Sequence, residues 1–167
     1  MSYATVRQAL VAYFASIAGI QTMYRDSPWF LDQAQWGLEA DKQWGAVAFL
    51  HIDRSSESRI TLPAGTGSKE IEYVVSLVVQ YQYLIPSILG NGLREDDWVV
   101  GLDTIIDTVK ARLRADQTAG TGLGGVIFQV GENPSDITVD QDLPILDVGR
   151  VYSLTRVEFN VTEIITA

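Results

Sequence analysis

From Glu70 to Tyr83 every second residue is apolar or aromatic: Ile71, Tyr73, Val75, Leu77, Val79, Tyr81 and Tyr83. A period of two held that long dictates one extended β-strand, because only in a strand do alternate side chains share a face. At about 3.3 Å per residue the run spans roughly 46 Å, whereas ordinary strands have about 5 to 6 residues. Of the alternate positions, Glu70, Glu72, Ser76, Gln80 and Gln82 are polar but Val74 and Val78 are not. The second face is therefore expected to be partly covered.

The flanking pattern predicts two helices and further strands. Val6, Ala9, Leu10, Tyr13, Phe14 and Ile17 recur at helical spacing from Thr5 to Ala18, Thr5 and Gln8 have the form of a capping box, and Gly19 is placed to end the helix. Ala46 to Ile52 reads as a strand apolar on both faces, Asp53 to Ser58 as a polar break, and Arg59 to Leu62 as a short second strand. Pro63 to Ser68 then turns into the long strand, which suggests an antiparallel meander. A second helix begins near Asp96 or Asp97, with Val99, Leu102, Ile106, Val109 and Leu113 as its stripe. Glu95 to Asp97 lie at its start and Lys110, Arg112 and Arg114 near its end, as the helix dipole prefers. A strand over Val126 to Val130, an acidic stretch from Glu132 to Asp147 and a closing strand from Val151 to Ile165 complete the order. In that last strand Val157, Phe159 and Val161 hold one phase while Tyr152, Leu154 and Ile164 hold the other, which predicts a bulge or a change of burial. The reading is one α+β domain over residues 1–167: a mainly antiparallel sheet with one very long strand, flanked by two helices, in the order α-β-β-β-α-β-β.

Composition removes several classes of function. The net charge of −9 argues against a surface that grips nucleic-acid phosphates. The absence of cysteine removes thiolate chemistry and disulfides. No segment reaches 18 uninterrupted apolar residues and no basic region leads into an apolar stretch at the start, so no membrane insertion is expected.

Individual motifs give no chemistry. Gly120, Gly122 and Gly125 spell GxGxxG, but a helix precedes them and a strand follows, the reverse of a dinucleotide site. Gly65 to Lys69 lacks phosphate-loop spacing. Asn160-Val161-Thr162 spells a glycosylation acceptor inside a strand. His51, the only histidine, has no nucleophile elbow with it and reads as structural. Glu95, Asp96 and Asp97 are explained by helix capping, and Asp136, Asp140, Asp142 and Asp147 lack EF-hand spacing. No catalytic, cofactor or metal residue is assigned, and no enzyme activity is expected. Trp29, Phe30, Trp36 and Trp44 lie in an irregular aromatic segment, either as a lid on the core or as anchors of a protein interface.

The opening helix Thr5 to Ala18, the long strand Glu70 to Tyr83, the helix Asp97 to Arg114 and the closing strand Val151 to Ile165 stand in an order that resembles the tail terminator and tail-completion (neck) proteins of long-tailed bacteriophages. The resemblance covers most of the chain and rests on element order, not on a signature motif. It implies a structural virion protein, assembled in the host cytoplasm, whose copies close a ring of six at the head-proximal end of the tail tube. That ring would end tube polymerisation and join the tail tube protein to the head-tail connector protein, with DNA passing through the lumen without specific binding. The interface candidates are Trp29, Trp36 and Trp44, for their aromatic character, and Pro63, Gly65, Gly67 and Lys69, for the polar, glycine-rich composition of a loop that would reach a partner ring or the lumen. The alternatives are a neck connector, the cap of a contractile injection particle, and a small α+β enzyme or ligand-binding domain with the tryptophan segment as pocket wall.

Overall fold

The computed structural model describes residues 3–28, 44–60, 68–84, 97–115, 129–130, 137–147 and 150–166. The fold is α+β, in the order α1 (Tyr3–Phe14), β1 (Ile20–Tyr24), β2 (Trp44–Ile60), β3 (Ser68–Leu84), α2 (Asp97–Ala115), β4 (Gln129–Val130), β5 (Thr138–Gln141), β6 (Ile145–Asp147) and β7 (Arg150–Thr166). All seven strands join one sheet. Its main path runs β1-β2-β3-β7-β4, and β5 and β6 pair with β7 on the same side as β4.

Three strands, β2, β3 and β7, are each 17 residues long, so the long strand foreseen at 70–83 is the centre of a three-stranded ribbon. At about 3.3 Å per residue the ribbon runs roughly 55 Å. Each side of β3 is paired along its length, antiparallel to β2 and to β7. On one face Ala46, Ala48, Leu50 and Ile52 of β2, the odd positions Tyr73 to Tyr83 of β3, and Val151, Val157, Phe159 and Val161 of β7 form one buried cluster with residues of both helices. α1 supplies Val6, Leu10, Tyr13 and Phe14 to it, and α2 supplies Leu102, Ile105, Ile106, Val109 and Leu113. The two helices are clasped at their C-terminal ends. Tyr13 donates to the Arg112 carbonyl at 2.9 Å, the Arg112 guanidinium lies 4.6 Å over the Tyr13 ring, and its Nη1 donates to Ser16 Oγ at 2.6 Å. The opposite face buries Val47, Phe49, Val74 and Val78, so the expected cover over Val74 and Val78 is present.

Several expectations are corrected. The stretches 46–52 and 59–60 are one strand, not two: β2 continues through its polar middle, with a bulge at Asp53 between Ile52, opposite Val75, and Arg54, opposite Val74. β1 was not foreseen, and it pairs parallel to β2, so the sheet is mixed and not a simple meander. Helix α1 starts at Tyr3 and ends at Phe14, which places Thr5 inside it and not at its cap. Gly19 does sit in the left-handed region (φ 96°), but in the link to β1 beyond the helix end. β7 carries no bulge against β3; residues 151 to 163 alternate without interruption. Trp44 and Gly45 belong to β2, and Ser68 and Lys69 to β3, not to loops. The acidic stretch contains β5 and β6. The glycine motif at 120–125 and residues 126–128 of the expected strand lie outside the described residues.

Burial fixes how two tyrosines respond to alkali. The Tyr73 phenol is pushed well above its usual range by desolvation and then by its bond to the Glu163 carboxylate, and the Tyr81 phenol by desolvation and then by Tyr83. A phenol whose folded value is raised contributes stability that is fully present below its unfolded value of about 10 and is lost as pH climbs beyond it toward the folded value. Alkaline titration of phenolate absorbance should therefore show a subset of the seven tyrosines ionising only together with loss of far-ultraviolet circular dichroism. Smooth ionisation of every tyrosine in the folded protein would contradict this.

Candidate functional site

The ribbon extends beyond the helices that cover it. Where α1 begins, Tyr3 meets Tyr73 edge to face, with centroids 5.6 Å apart, and its hydroxyl bonds Ser55 Oγ. Past that point Ser56 to Arg59 of β2 are exposed and Lys69 to Ile71 of β3 only half-buried. The polar composition of 53–58, which reads as a break in the sequence, is the composition of a strand wetted on both faces. Lys69 Nζ pairs with Glu57 Oε1 at 2.6 Å across this arm, and that bond holds the Glu57 carboxyl below its usual range.

β2 is paired along its whole length on the β3 side, but β1 accompanies its other side only at Ala46 to Phe49. Leu50 to Ile60 thus form an unpaired edge among the described residues. On the far side of the sheet β4, β5 and β6 lie in a column along β7, and they form the opposite edge. Leu143, between β5 and β6, is 89% exposed, and Ile145, at the start of β6, 68%. With Gln80, Tyr152 and Leu154 they line an apolar cleft of about 340 Å³.

The chemistry-bearing side chains among the described residues engage separate partners. His51 is exposed, not buried; its Nδ1 stands 3.7 Å from Asp26 Oδ1, and Arg7 Nη1 donates to Asp26 Oδ2 at 2.7 Å. The Asp26 carboxyl is held below its usual range by the Ser27 backbone amide and then by Arg7. Ser76, opposite His51 across β2 and β3, donates its hydroxyl to Asp53 instead. Because Asp26 is half-exposed, its depressed value contributes little stability, present above about pH 4 and lost as pH falls through the folded value. Arg7→Ala should cost only about 0.5–1 kcal/mol by urea denaturation. A loss above about 2 kcal/mol would show that the pair is not solvent-screened.

Of the residues singled out in the sequence, Trp44 caps one end of the core. It is partly exposed and stacks on Tyr81 with centroids 6.0 Å apart and planes at 26°. Lys69 is in the arm, engaged with Glu57. Trp29, Trp36, Pro63, Gly65 and Gly67 lie outside the described residues, as do Phe30, Glu95, Asp96 and Asp136. Among the described residues no three His, Cys, Asp or Glu are grouped to hold a metal ion, and no helix is long and apolar enough to cross a membrane. The two sheet edges carried no sequence signal of their own, since an edge is defined by which strand is missing beside it.

Fold and edges together define an α+β protein built on a long three-stranded ribbon with two unlike edges that no described residue pairs. No family model matches the chain and no curated protein matches it. One solved structure aligns over 96% of this chain and 96% of its own at 15% identity, with a TM-score of 0.42. A likeness of that size carries no functional argument.

Proposed function

We propose that this chain is a structural subunit that closes, with copies of itself, into a ring at the head-proximal end of a phage tail tube, and joins tube to head connector. The observation that carries the reading is the ribbon: three 17-residue strands, of which β2 runs on past Tyr3 as a wet, polar arm beside a half-buried β3. A domain folding only for its own stability has no need of strands beyond its core, whereas a subunit that reaches a neighbour does. Two different free edges on one sheet also suit head-to-tail contact, the kind that closes rings. An acidic protein lets DNA pass without gripping it, in keeping with the net charge of −9. The reading without catalysis is supported by the separate engagement of Ser76 with Asp53 and of His51 with Asp26.

Native mass spectrometry across a concentration series tests it, since multiples of the 18.4 kDa chain are easily counted. A closed species of six copies is expected. A strict monomer both alone and mixed with tail tubes would reject the reading.

A further inference from the structure

The cleft beside Leu143 and Ile145 has a wall that is fixed before anything binds. Tyr152 lines it, and the Tyr152 hydroxyl accepts from Gln82 Nε2 at 3.2 Å, a side chain only 2% exposed, while Arg150 Nη1 stands 3.5 Å away. Leu143 precedes Pro144, so its backbone is restricted to extended geometry and its exposed side chain is presented with little freedom left to lose. Pro144 also removes a backbone donor from this edge, which disfavours strand addition there and leaves side-chain contact as the way to fill the cleft.

Charge selects what fills it. Arg150 stands opposite Asp147 and Arg156 opposite Asp140 in the strand register, so each arginine of β7 has an aspartate at its register position. Asp142 is left over. Its backbone amide bonds the Leu154 carbonyl at 3.0 Å, which sets it level with an apolar residue, and it is the one charged residue among the described ones that line the cleft. Even with Arg156 shared between Asp140 and Asp142, negative charge remains. We infer that the cleft docks a partner protein through a large apolar side chain flanked by lysine or arginine, the apolar group entering among Leu143, Ile145, Tyr152 and Leu154 and the base pairing with Asp142. A volume of about 340 Å³ lies at the small end of binding sites, sized for one or two side chains, and exposed apolar residues grouped around such a cleft mark protein contact. A neutral partner would desolvate the Asp142 carboxylate without a counter-charge, and an acidic one would be repelled. The inference goes beyond the ring reading and does not rest on it.

Fluorescence anisotropy with a labelled, end-blocked peptide, Gly-Ser-Lys-Leu-Leu-Lys-Ser-Gly, tests it at physiological ionic strength. Saturable binding is expected below about 1 mM, weakened at least about tenfold when both leucines become serine or both lysines become glutamate. In the protein, Asp142→Lys and Leu143→Ser should each weaken binding about tenfold with unchanged circular dichroism. Glu72→Lys makes the same change of charge on an exposed residue of β3, about 26 Å from Gln80 at 3.3 Å per residue and well beyond the screening length, and should alter binding less than about twofold. No saturation by about 1 mM, or equal losses from Asp142→Lys and Glu72→Lys, would overturn the inference, the latter by showing attraction to the net charge of −9 alone. Native mass spectrometry of the same variants reads the other occupant, a second copy of the chain. A wild-type oligomer that Asp142→Lys or Leu143→Ser dissolves would overturn the partner cleft and leave the ring reading standing, whereas peptide binding by a chain that is monomeric with and without tubes would support the cleft and remove the ring.

Discussion

Tyr73→Phe should destabilise the protein by about 2–3 kcal/mol, although it removes a single oxygen from the core. The Tyr73 hydroxyl donates to Glu163 Oε2 at 2.9 Å, and both side chains are buried, Glu163 with no exposed surface at all. A hydrogen bond to a carboxylate contributes about 1.5–3 kcal/mol, and removing its donor leaves a buried oxygen that water does not reach to solvate. The ring itself stays, so its edge-to-face contact with Tyr3 is preserved and the measured loss reports the bond. Glu163→Gln keeps an acceptor for the hydroxyl and should cost less than Tyr73→Phe. Glu163→Ala combines a cavity with a stranded phenol and should cost about 3–5 kcal/mol. Tyr73→Phe with Glu163→Leu replaces both polar partners by apolar ones and should lose less than the two single changes added, by about 1–3 kcal/mol. Urea denaturation of these variants, with Glu163→Leu alone to close the cycle, measures it. A Tyr73→Phe loss within 0.5 kcal/mol, roughly the noise of a surface change, would show that the bond does not hold the arm to the core.

The same pair explains what the sequence concealed. On the buried phase of β7, Ser153, Thr155 and Glu163 occupy core positions, while Tyr152 and Leu154 lie half-buried and Ile164 exposed on the other. Polarity therefore changes phase twice along a strand whose geometry never does, which is why the sequence predicts a bulge or a change of burial there although the strand carries no bulge. The bulge is in β2, at Asp53, within a run whose Asp, Ser and Glu residues have low strand preference. That run is extended because β3 pairs with it from Arg54 to Ile60, a tertiary cause that no local pattern reports. β1 was missed for a similar reason: Ile20-Gln21-Thr22-Met23-Tyr24 is short and does not alternate cleanly, and its parallel partner is 26 residues further on, at Ala46 opposite Ile20. What was legible was what hydrophobic periodicity alone determines: the stripe of α2, the alternation of β3 and the α+β class. The candidate surface was legible only in part. Lys69 was nominated as a loop residue and is a strand residue in the arm.

Gly101→Ala should destabilise by about 1–3 kcal/mol even though alanine is the better helix former by about 1 kcal/mol. Gly101 lies in α2 directly over Tyr81, and a Cβ there would overlap the Tyr81 hydroxyl and stand 3.3 Å from its Cζ. The ring has no room to retreat, since it is fully buried in β3 and stacked against Trp44. That hydroxyl is buried without a hydrogen-bond partner among the described residues, so it already costs desolvation without return. Tyr81→Phe alone should accordingly be neutral or stabilising by up to about 1 kcal/mol. The double variant removes the oxygen that the new methyl meets and keeps the helix gain, so it should recover to within about 1 kcal/mol of wild type. Additive effects in that cycle would mean that α2 shifts to accept the methyl and that the glycine does not set its approach. Gly101→Val, with two more carbons against the same ring, should lose several kcal/mol more. Because α2 packs on the core face and the proposed contacts run along the sheet edges, Gly101→Ala should lower the denaturation midpoint without changing which oligomer forms. A variant that lost the ring at temperatures where it remained folded would instead place the helical face in the subunit contact.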